Sequence, residues 1–155
     1  MPTPAATPTV SPSPAATATP SPAPLGLTDE PCACPASTQQ ATCLPLSQAD
    51  LGQLLELYVA ERHISSRDVA GLAGHCGGTL ISTGAQWATA SFAPSPRAPL
   101  NVAVGFQDGA DTGIYRRDPG GSWQFVTVGG EAFACAGGSR LPAAIRTLWH
   151  VAPCG

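Results

Sequence analysis

The sequence predicts an α+β domain. In the predicted fold, one or two N-terminal helices pack on an antiparallel meander of about four strands, and a short C-terminal helix follows. Disulfide bridges are expected to cross-link the domain. Three observations predict this class. Apolar residues follow a helical period from residue 47 and alternate with small or polar ones from residue 85 onward. The six cysteines form an even set within the same part of the chain. We therefore expect a single globular domain over residues 29–155.

The segment before this domain has a different composition. The stretch MPTPAATPTVSPSPAATATPSPAP consists almost entirely of Pro, Ala, Thr and Ser, and the first charged residue is Asp29. Such a segment has few apolar side chains to bury, and each proline removes a backbone donor. Residues 1–28 are therefore predicted to be a disordered tether, open to O-glycosylation, of the kind that displays exported domains.

Two helices are predicted at the start of the domain. The first begins at Ser47, where the residues SQAD form a capping box with Asp50 as the reciprocal acid. A second cap at Ser65, in the residues SSRD, predicts a short helix that ends near Gly74 or Gly77. The apolar face of the first helix follows the i, i+3, i+4, i+7 rule and contains Leu51, Leu54, Leu55 and Tyr58.

The strands are predicted from alternation. The clearest alternating run is LNVAVGFQ, which begins at residue 100. Trp87 is placed on a strand and is expected to pack against the apolar face of the first helix. Residues 118–121, with the sequence DPGG, predict a tight turn, and a last short helix over 141–150 starts at Pro142. The four predicted strands are 85–92, 100–107, 113–117 and 122–128.

A resemblance to known proteins covers residues 85–155. Trp-Ala on the first strand, the run YRRDPGGSW and the segment C…LPAAI…C resemble small exported proteins and lipoproteins of high-GC bacteria. This resemblance implies a location outside the cell or on its surface, but no assigned activity. A signal peptide or a lipidated cysteine is expected to have preceded the tether, so a lipid anchor stays open.

Charge and hydropathy exclude two classes of partner. The net charge is −3, and the seven basic residues, all arginine, form no stripe. Nucleic-acid affinity rests mainly on Lys and Arg side chains that neutralise phosphates, so we predict no nucleic-acid binding. No apolar run approaches the length that crosses a bilayer, so no transmembrane segment is predicted.

Residues 75–92, HCGGTLISTGAQWATASF, resemble part of a chymotrypsin-like serine protease. In that family the Trp is followed by Thr-Ala-Ala-His-Cys. Here Phe92 stands at the position of the catalytic His, and Ala93 stands at that of its cysteine neighbour. The nucleophile motif Gly-Asp-Ser-Gly-Gly is also missing, and a serine without a positioned base is a poor nucleophile. The match is therefore interpreted as coincidental, and no catalytic residue is assigned.

Acidic residues suggest two further sites. Asp111, Thr112 and Gly113 repeat the active-site triplet of aspartic proteases, but no apolar strand leads into them as it does in that family. Asp108, Asp111 and Asp118 lie in neighbouring turns, and their spacing is not that of a calcium loop. Both sets are interpreted as turn acids in contact with solvent.

A transition-metal site would have to combine cysteine with histidine. The cysteines lack the Cys-x-x-Cys spacing of zinc sites, and an oxidising compartment favours disulfides over thiolate ligands. The sequence therefore predicts no metal and no cofactor. The residues considered for such a site are Cys32, Cys34, His63, His75, Cys76 and His150.

The cysteines are predicted to form three disulfides. Cys135 and Cys154 bracket the last helix and are expected to pair. Cys32 and Cys34 are too close in sequence to pair with each other, because one intervening residue strains the bridge. Their expected partners are the two remaining cysteines, Cys43 and Cys76, in an order that the sequence leaves open.

The function expected from these observations is non-catalytic binding or assembly on a stalk. Its partner is an unknown protein, a cell-wall component or a second copy of the chain. Arg116 and Arg117 should point to opposite faces of the sheet. Arg117 then contacts an anionic ligand or pairs with Asp118 or Glu131. Together with Trp123, these two arginines are the candidate ligand-binding residues.

Two other functions stay open. One is a secreted inhibitor of an extracellular hydrolase, with the cysteine-rich loop 29–46 as its contact surface. The other is a small hydrolase whose catalytic groups come from distant positions. The residues to test first in that case are His75, Asp111, Glu131 and His150.

Overall fold

The computed structural model describes residues 37–107, 110–129 and 140–151, and these form one antiparallel sheet with helices on both faces. The strand order β1-β2-β3-β4-β5 follows the chain. The α+β class is confirmed, with five strands where about four were predicted. The strands are β1 (Ala41–Cys43), β2 (Val69–Leu80), β3 (Gln86–Pro94), β4 (Thr112–Arg117) and β5 (Gln124–Val128). The helices are α1 (Gln48–Arg62), α2 (Leu100–Val104) and α3 (Ala143–Leu148), with a 3-10 turn at Ser66–Asp68.

Helix α1 is confirmed, including its cap. The backbone N–H of Asp50 donates to Oγ of Ser47 at 3.1 Å, and the backbone N–H of Ser47 donates to Oδ2 of Asp50 at 3.1 Å. The helix ends at Arg62, and His63 takes a left-handed φ of 52°. The predicted apolar face is buried, together with one further residue, Val59. The predicted tether, residues 1–28, lies outside the described residues.

The apolar face of α1 packs on one face of the sheet. The ring centroids of Tyr58 and Phe92 lie 4.7 Å apart, and those of Tyr58 and Phe106 lie 5.9 Å apart. Ala88 and Ala90 of β3 let the helix approach this face closely, since their side chains are short. This first core therefore joins α1 to the middle of the sheet.

A second core lies on the opposite face, where α3 covers the sheet. It contains Trp87, Ile114, Ile145 and Leu148. The expectation that Trp87 packs against α1 is therefore wrong. Neighbouring side chains of a strand alternate between faces, and it is Ala88, the next residue of β3, that lies under α1.

The predicted helix after Ser65 is also wrong. The capping box of Ser65 and Asp68 forms, but it caps only the 3-10 turn, and the chain then enters β2. Glycines recur along β2, and glycine is a weak helix former. Pairing with β3 supplies the hydrogen bonds instead, with irregular register between Val69 and Gly71 and between Leu72 and Gly74.

The predicted strand over residues 100–107 is a helix in the structure. Two backbone N–H groups, those of Val102 and Ala103, donate to the carbonyl of Pro99 at 2.9 Å and close a helical turn. Proline fixes φ near the helical value, which favours this start. Leu100 and Val104 are exposed, whereas Phe106 is buried in the first core and Val102 packs against that core partly buried.

The last elements agree with the predictions. Strands β3, β4 and β5 form in antiparallel pairs, and the turn between β4 and β5 closes with a bond from the N–H of Gly121 to the carbonyl of Asp118 at 2.9 Å. Pro142 is the N-cap of α3 and so lies just before the helix. Within the described residues, no helix combines the length and the apolar character that a bilayer span requires.

Candidate functional site

The candidate residues Arg116 and Arg117 point to opposite faces of β4, as predicted. Arg116 pairs across the strands with Trp87, on the face that α3 covers. Its Nη2 donates to Oδ1 of Asp118 at 2.6 Å, and its guanidinium carbon lies 6.0 Å from the centroid of the Trp87 ring. Both partners of this ion pair are exposed, with side-chain exposures of 47% and 61%. Arg116 is therefore a solvent-facing residue paired within its own turn.

Arg117 lies on the α1 face and is held by three groups. Its Nη1 donates to Oδ1 of Asp50 at 2.9 Å, and its Nε donates to Oε1 of Gln86 at 2.7 Å. Its guanidinium carbon lies 4.4 Å from the centroid of the Trp123 ring, at stacking distance. Its acidic partner among the described residues is thus Asp50 and not Asp118, which pairs with Arg116. Glu131, the other predicted partner, lies outside the described residues.

Asp50 is the centre of this network. Oδ1 accepts from Arg117 and from Nε1 of Trp123, the latter at 2.8 Å. Oδ2 accepts from the backbone N–H of Ser47 at 3.1 Å and from its hydroxyl at 2.7 Å. Partial burial alone would raise the pKa of Asp50, but these hydrogen bonds and the charge of Arg117 outweigh burial and lower the pKa to about 2. We call Asp50, Gln86, Arg117 and Trp123 the Asp50 network.

Sequence reasoning found Asp50 only as a capping residue. The capping box needs one of the two carboxylate oxygens, and nothing in the local sequence shows where the second one points. The signal that could have found it is the alternation of residues 122–128, which places Trp123 and Phe125 on one face of the strand. A buried indole needs an acceptor for its N–H, and a carboxylate at the start of the facing helix supplies one.

A groove opens beside the Asp50 network. It has a volume of about 520 Å³, within the range of ligand pockets. Gly52 lies on the α1 side of the groove and has no side chain to narrow it. Apart from its chain neighbours and the backbone of its own helix, no atom lies within 4 Å of the position that a Cβ would take. The groove is lined by Ala49, Gly52, Gln53, Glu56, Leu57 and Trp123.

Of the residues considered for catalysis, Glu131 lies outside the described residues, and the others do not contact one another. His63 and His150 follow the ends of α1 and α3 with left-handed φ angles of 52° and 54°. His75 lies on β2, and its buried Nδ1 has no partner. Oδ1 of Asp111 accepts from the hydroxyl of Thr112 at 3.3 Å. In the part of the chain that the structure describes, no histidine contacts a carboxylate.

The metal-ligand candidates that the structure describes form no cluster either. Across residues 37–107, 110–129 and 140–151, no three His, Cys, Asp or Glu side chains lie close enough to hold a metal ion. Cys43 and Cys76 are each disulfide-bonded. Cys32, Cys34, Cys135 and Cys154 lie outside the described residues, so the pairing of the cysteines stays a prediction.

The site thus combines a fixed indole with an open groove. Its lining groups are an indole ring, an amide, a carboxylate and short apolar side chains, which suit a ligand rich in hydroxyl and amide groups. A scan of the chain against protein-family models gives no match, and neither does a search of curated proteins or of solved structures.

Proposed function

We propose that residues 29–155 form a non-catalytic binding domain, held outside the cell or at its surface by the Pro/Thr-rich tether. The partner that we propose is a polysaccharide of the cell wall, bound in the groove beside Trp123. The observation that supports this most is the groove itself, whose lining combines the polar side chains of Gln53 and Glu56 with apolar side chains and a fixed aromatic ring.

The fixed position of Trp123 favours binding. Its N–H is anchored on Asp50 and its ring stacks on Arg117, so the side chain loses little conformational freedom when a ligand arrives. Trp123 is only 4% exposed, so it offers a small apolar contact surface to the groove that it lines. A preorganised aromatic group of this kind supplies apolar contact at low entropic cost.

The polar side of the groove favours hydroxyl groups. Gln53 offers an amide donor and acceptor, and Glu56 offers a carboxylate acceptor. Both side chains are exposed on α1, where they reach a bound molecule without any change in the fold. Glu56 is the one charged group of the lining, so the groove disfavours anionic polymers and suits neutral or amino sugars.

The test uses Gly52, since filling the groove there leaves the Asp50 network intact. Gly52→Gln places a side chain into the groove, and the space around an added Cβ is free. Ala60→Gln is the matched control, because Ala60 is also exposed on α1 but does not line the groove. Binding of the full chain to purified cell-wall polysaccharides is measured by co-sedimentation and by calorimetry with soluble fragments.

We expect the parent chain and Ala60→Gln to bind, and Gly52→Gln to lose at least tenfold in affinity, on the order of the discrimination that a steric block gives. Equal binding by the two variants would show that the groove is not the polysaccharide-binding site. Release of reducing ends from the polysaccharide would instead support the hydrolase that the sequence left open. Inhibition of secreted hydrolases without polysaccharide binding would support the inhibitor.

A further inference from the structure

Two of the seven arginines differ from the other five in their interactions. Arg67 and Arg97 are exposed, and within the described residues neither guanidinium has a hydrogen-bond acceptor or a carboxylate partner. Because guanidinium groups are strong donors, two without an acceptor mark a surface that is open to an anion. The five arginines with an interaction in the structure are Arg62, Arg116, Arg117, Arg140 and Arg146.

These two arginines line the same cavity. It has a volume of about 560 Å³ and lies where the start of β2 meets the end of β3. The N–H of Ser95 donates to the carbonyl of Asp68 at 2.7 Å and joins the two chain segments that carry the arginines. Pro96 completes the lining. The arginines are thus held near each other by backbone structure.

The charge of the cavity favours a singly charged anion. Arg67 and Arg97 contribute two positive charges and Asp68 one negative charge, which leaves a net charge of about +1. Asp68 turns one oxygen, Oδ2, toward the backbone N–H of Ser65 at 3.2 Å. A phosphodiester carries one negative charge and presents two oxygens to guanidinium groups.

An exposed apolar surface follows directly along the chain. Leu100 is 79% exposed and Val104 is 52% exposed, and they lie four residues apart on one side of α2. Leu100 is three positions after Arg97 in the chain, so their Cα atoms lie at most about 11 Å apart. Among the described large apolar residues, only Ile81 is comparably exposed, at 56%.

Helix α2 is also the place where local preference and structure disagree. Its alternating pattern and its two valines favour a strand, yet it forms a short helix that buries none of its five residues. Nη2 of Arg62 donates to the carbonyl of Gly105 at 2.8 Å and fixes the end of this helix. Such disagreement between levels is typical of functional surfaces.

We propose that this surface, made of Arg67, Arg97, Leu100 and Val104, binds a phospholipid bilayer. Arg67 and Arg97 contact headgroup phosphodiesters, while Leu100 and Val104 enter the interfacial layer. We call it the α2 surface. It shares no residue with the groove beside Trp123 and does not depend on the function proposed for that groove.

The test is flotation of the full chain with vesicles of phosphatidylcholine, with and without phosphatidylglycerol. Arg67→Gln and Arg97→Gln remove the free guanidinium groups, and Leu100→Asn and Val104→Asn remove the apolar contact. Arg116→Gln and Ile81→Asn are the matched controls, because they change the same charge and the same polarity elsewhere on the exposed surface. Thermal unfolding of each variant verifies the fold.

We expect binding to phosphatidylglycerol vesicles that weakens about fivefold for each arginine replaced. Leu100→Asn should weaken it about tenfold, and the two controls should leave it unchanged. In a Leu100→Trp variant, the new indole should shift its emission to the blue with vesicles and be quenched by brominated lipid. Absence of vesicle binding, equal loss in the controls, or binding of soluble glycerol phosphate without vesicles would overturn the proposal.

Discussion

Nη1 of Arg117 lies 2.9 Å from Oδ1 of Asp50, although the two residues are 67 positions apart in the chain. The side chains are 24% and 16% exposed, so solvent screens this ion pair less than it screens the pair of Arg116 and Asp118. Asp50, which belongs to the capping box of α1, therefore also links that helix to the last residue of β4. This link joins the helix and sheet layers beside the groove.

The two neighbouring arginines should respond differently to the same replacement. Arg117→Lys keeps the charge but loses the planar group that reaches Asp50 and Gln86 while it stacks on Trp123. We expect it to lower the free energy of unfolding by about 1–2 kcal/mol. Arg116→Lys should change it by less than about 0.5 kcal/mol, since that pair is exposed. Urea titration measures both, and equal effects would contradict the difference in environment.

Asp50 should make the free energy of unfolding depend on pH in the acidic range. Its folded pKa, about 2, lies below the unfolded value of 3.8, so its contribution is fully present above that value. The contribution falls as pH drops below 3.8 and is lost as pH passes through the folded value. Its size is about 2 kcal/mol. Asp50→Asn should reduce the free energy of unfolding at neutral pH by a similar amount and flatten this acid dependence. If the free energy of unfolding of Asp50→Asn fell with acidic pH as steeply as that of the parent chain, Asp50 would not be the source of the pH dependence.

Two glycine-to-alanine changes should have opposite signs. An added Cβ at Gly113 would overlap the hydroxyl group and ring of Tyr115, whose side chain is fully buried in a packed core. Gly113→Ala is therefore expected to cost about 2–3 kcal/mol. Gly52→Ala adds a methyl group in open space within α1 and should stabilise the protein by about 0.5–1 kcal/mol. Thermal unfolding of both variants, measured side by side, decides the comparison.

The two buried tyrosines form another matched pair. The hydroxyl of Tyr58 donates to the carbonyl of Ala110 at 2.8 Å, whereas the buried hydroxyl of Tyr115 has no hydrogen-bond partner. Burial raises the pKa of both residues, that of Tyr58 to about 12. Tyr58→Phe should cost about 1 kcal/mol, and Tyr115→Phe should be neutral or stabilising by about 1 kcal/mol. A loss of stability in Tyr115→Phe would show that its hydroxyl does find a partner in solution.

Local signals in the sequence were enough for several elements. The capping box of Ser47 and the apolar face that follows it lie within one helix, so their pattern needs no distant partner. The hairpin of β4 and β5 is similarly local, since its turn residues lie between Arg117 and Gln124. From such signals the opposite faces of the two neighbouring arginines could be predicted.

Elements that depend on distant partners could not be predicted in the same way. Strand β2 is rich in glycine and follows a helix cap, and it becomes a strand through its pairing with β3 and β1. Its neighbour β1 has three residues, too few for any period to show. The network around Asp50 joins α1, β3, β4 and the turn before β5, so no single stretch of sequence contains it.

The matching of strand order to chain order has a kinetic consequence. Each strand pairs with the strands before and after it in the chain, so most sheet contacts have low sequence separation, which favours fast folding. The exception is the pairing of β1 with β2, because the whole of α1 lies in their connection and the loop to be closed is longer. We expect β1 to join the sheet after the transition state. Substitutions in β1 should then accelerate unfolding, while those in the middle of β3 should slow folding.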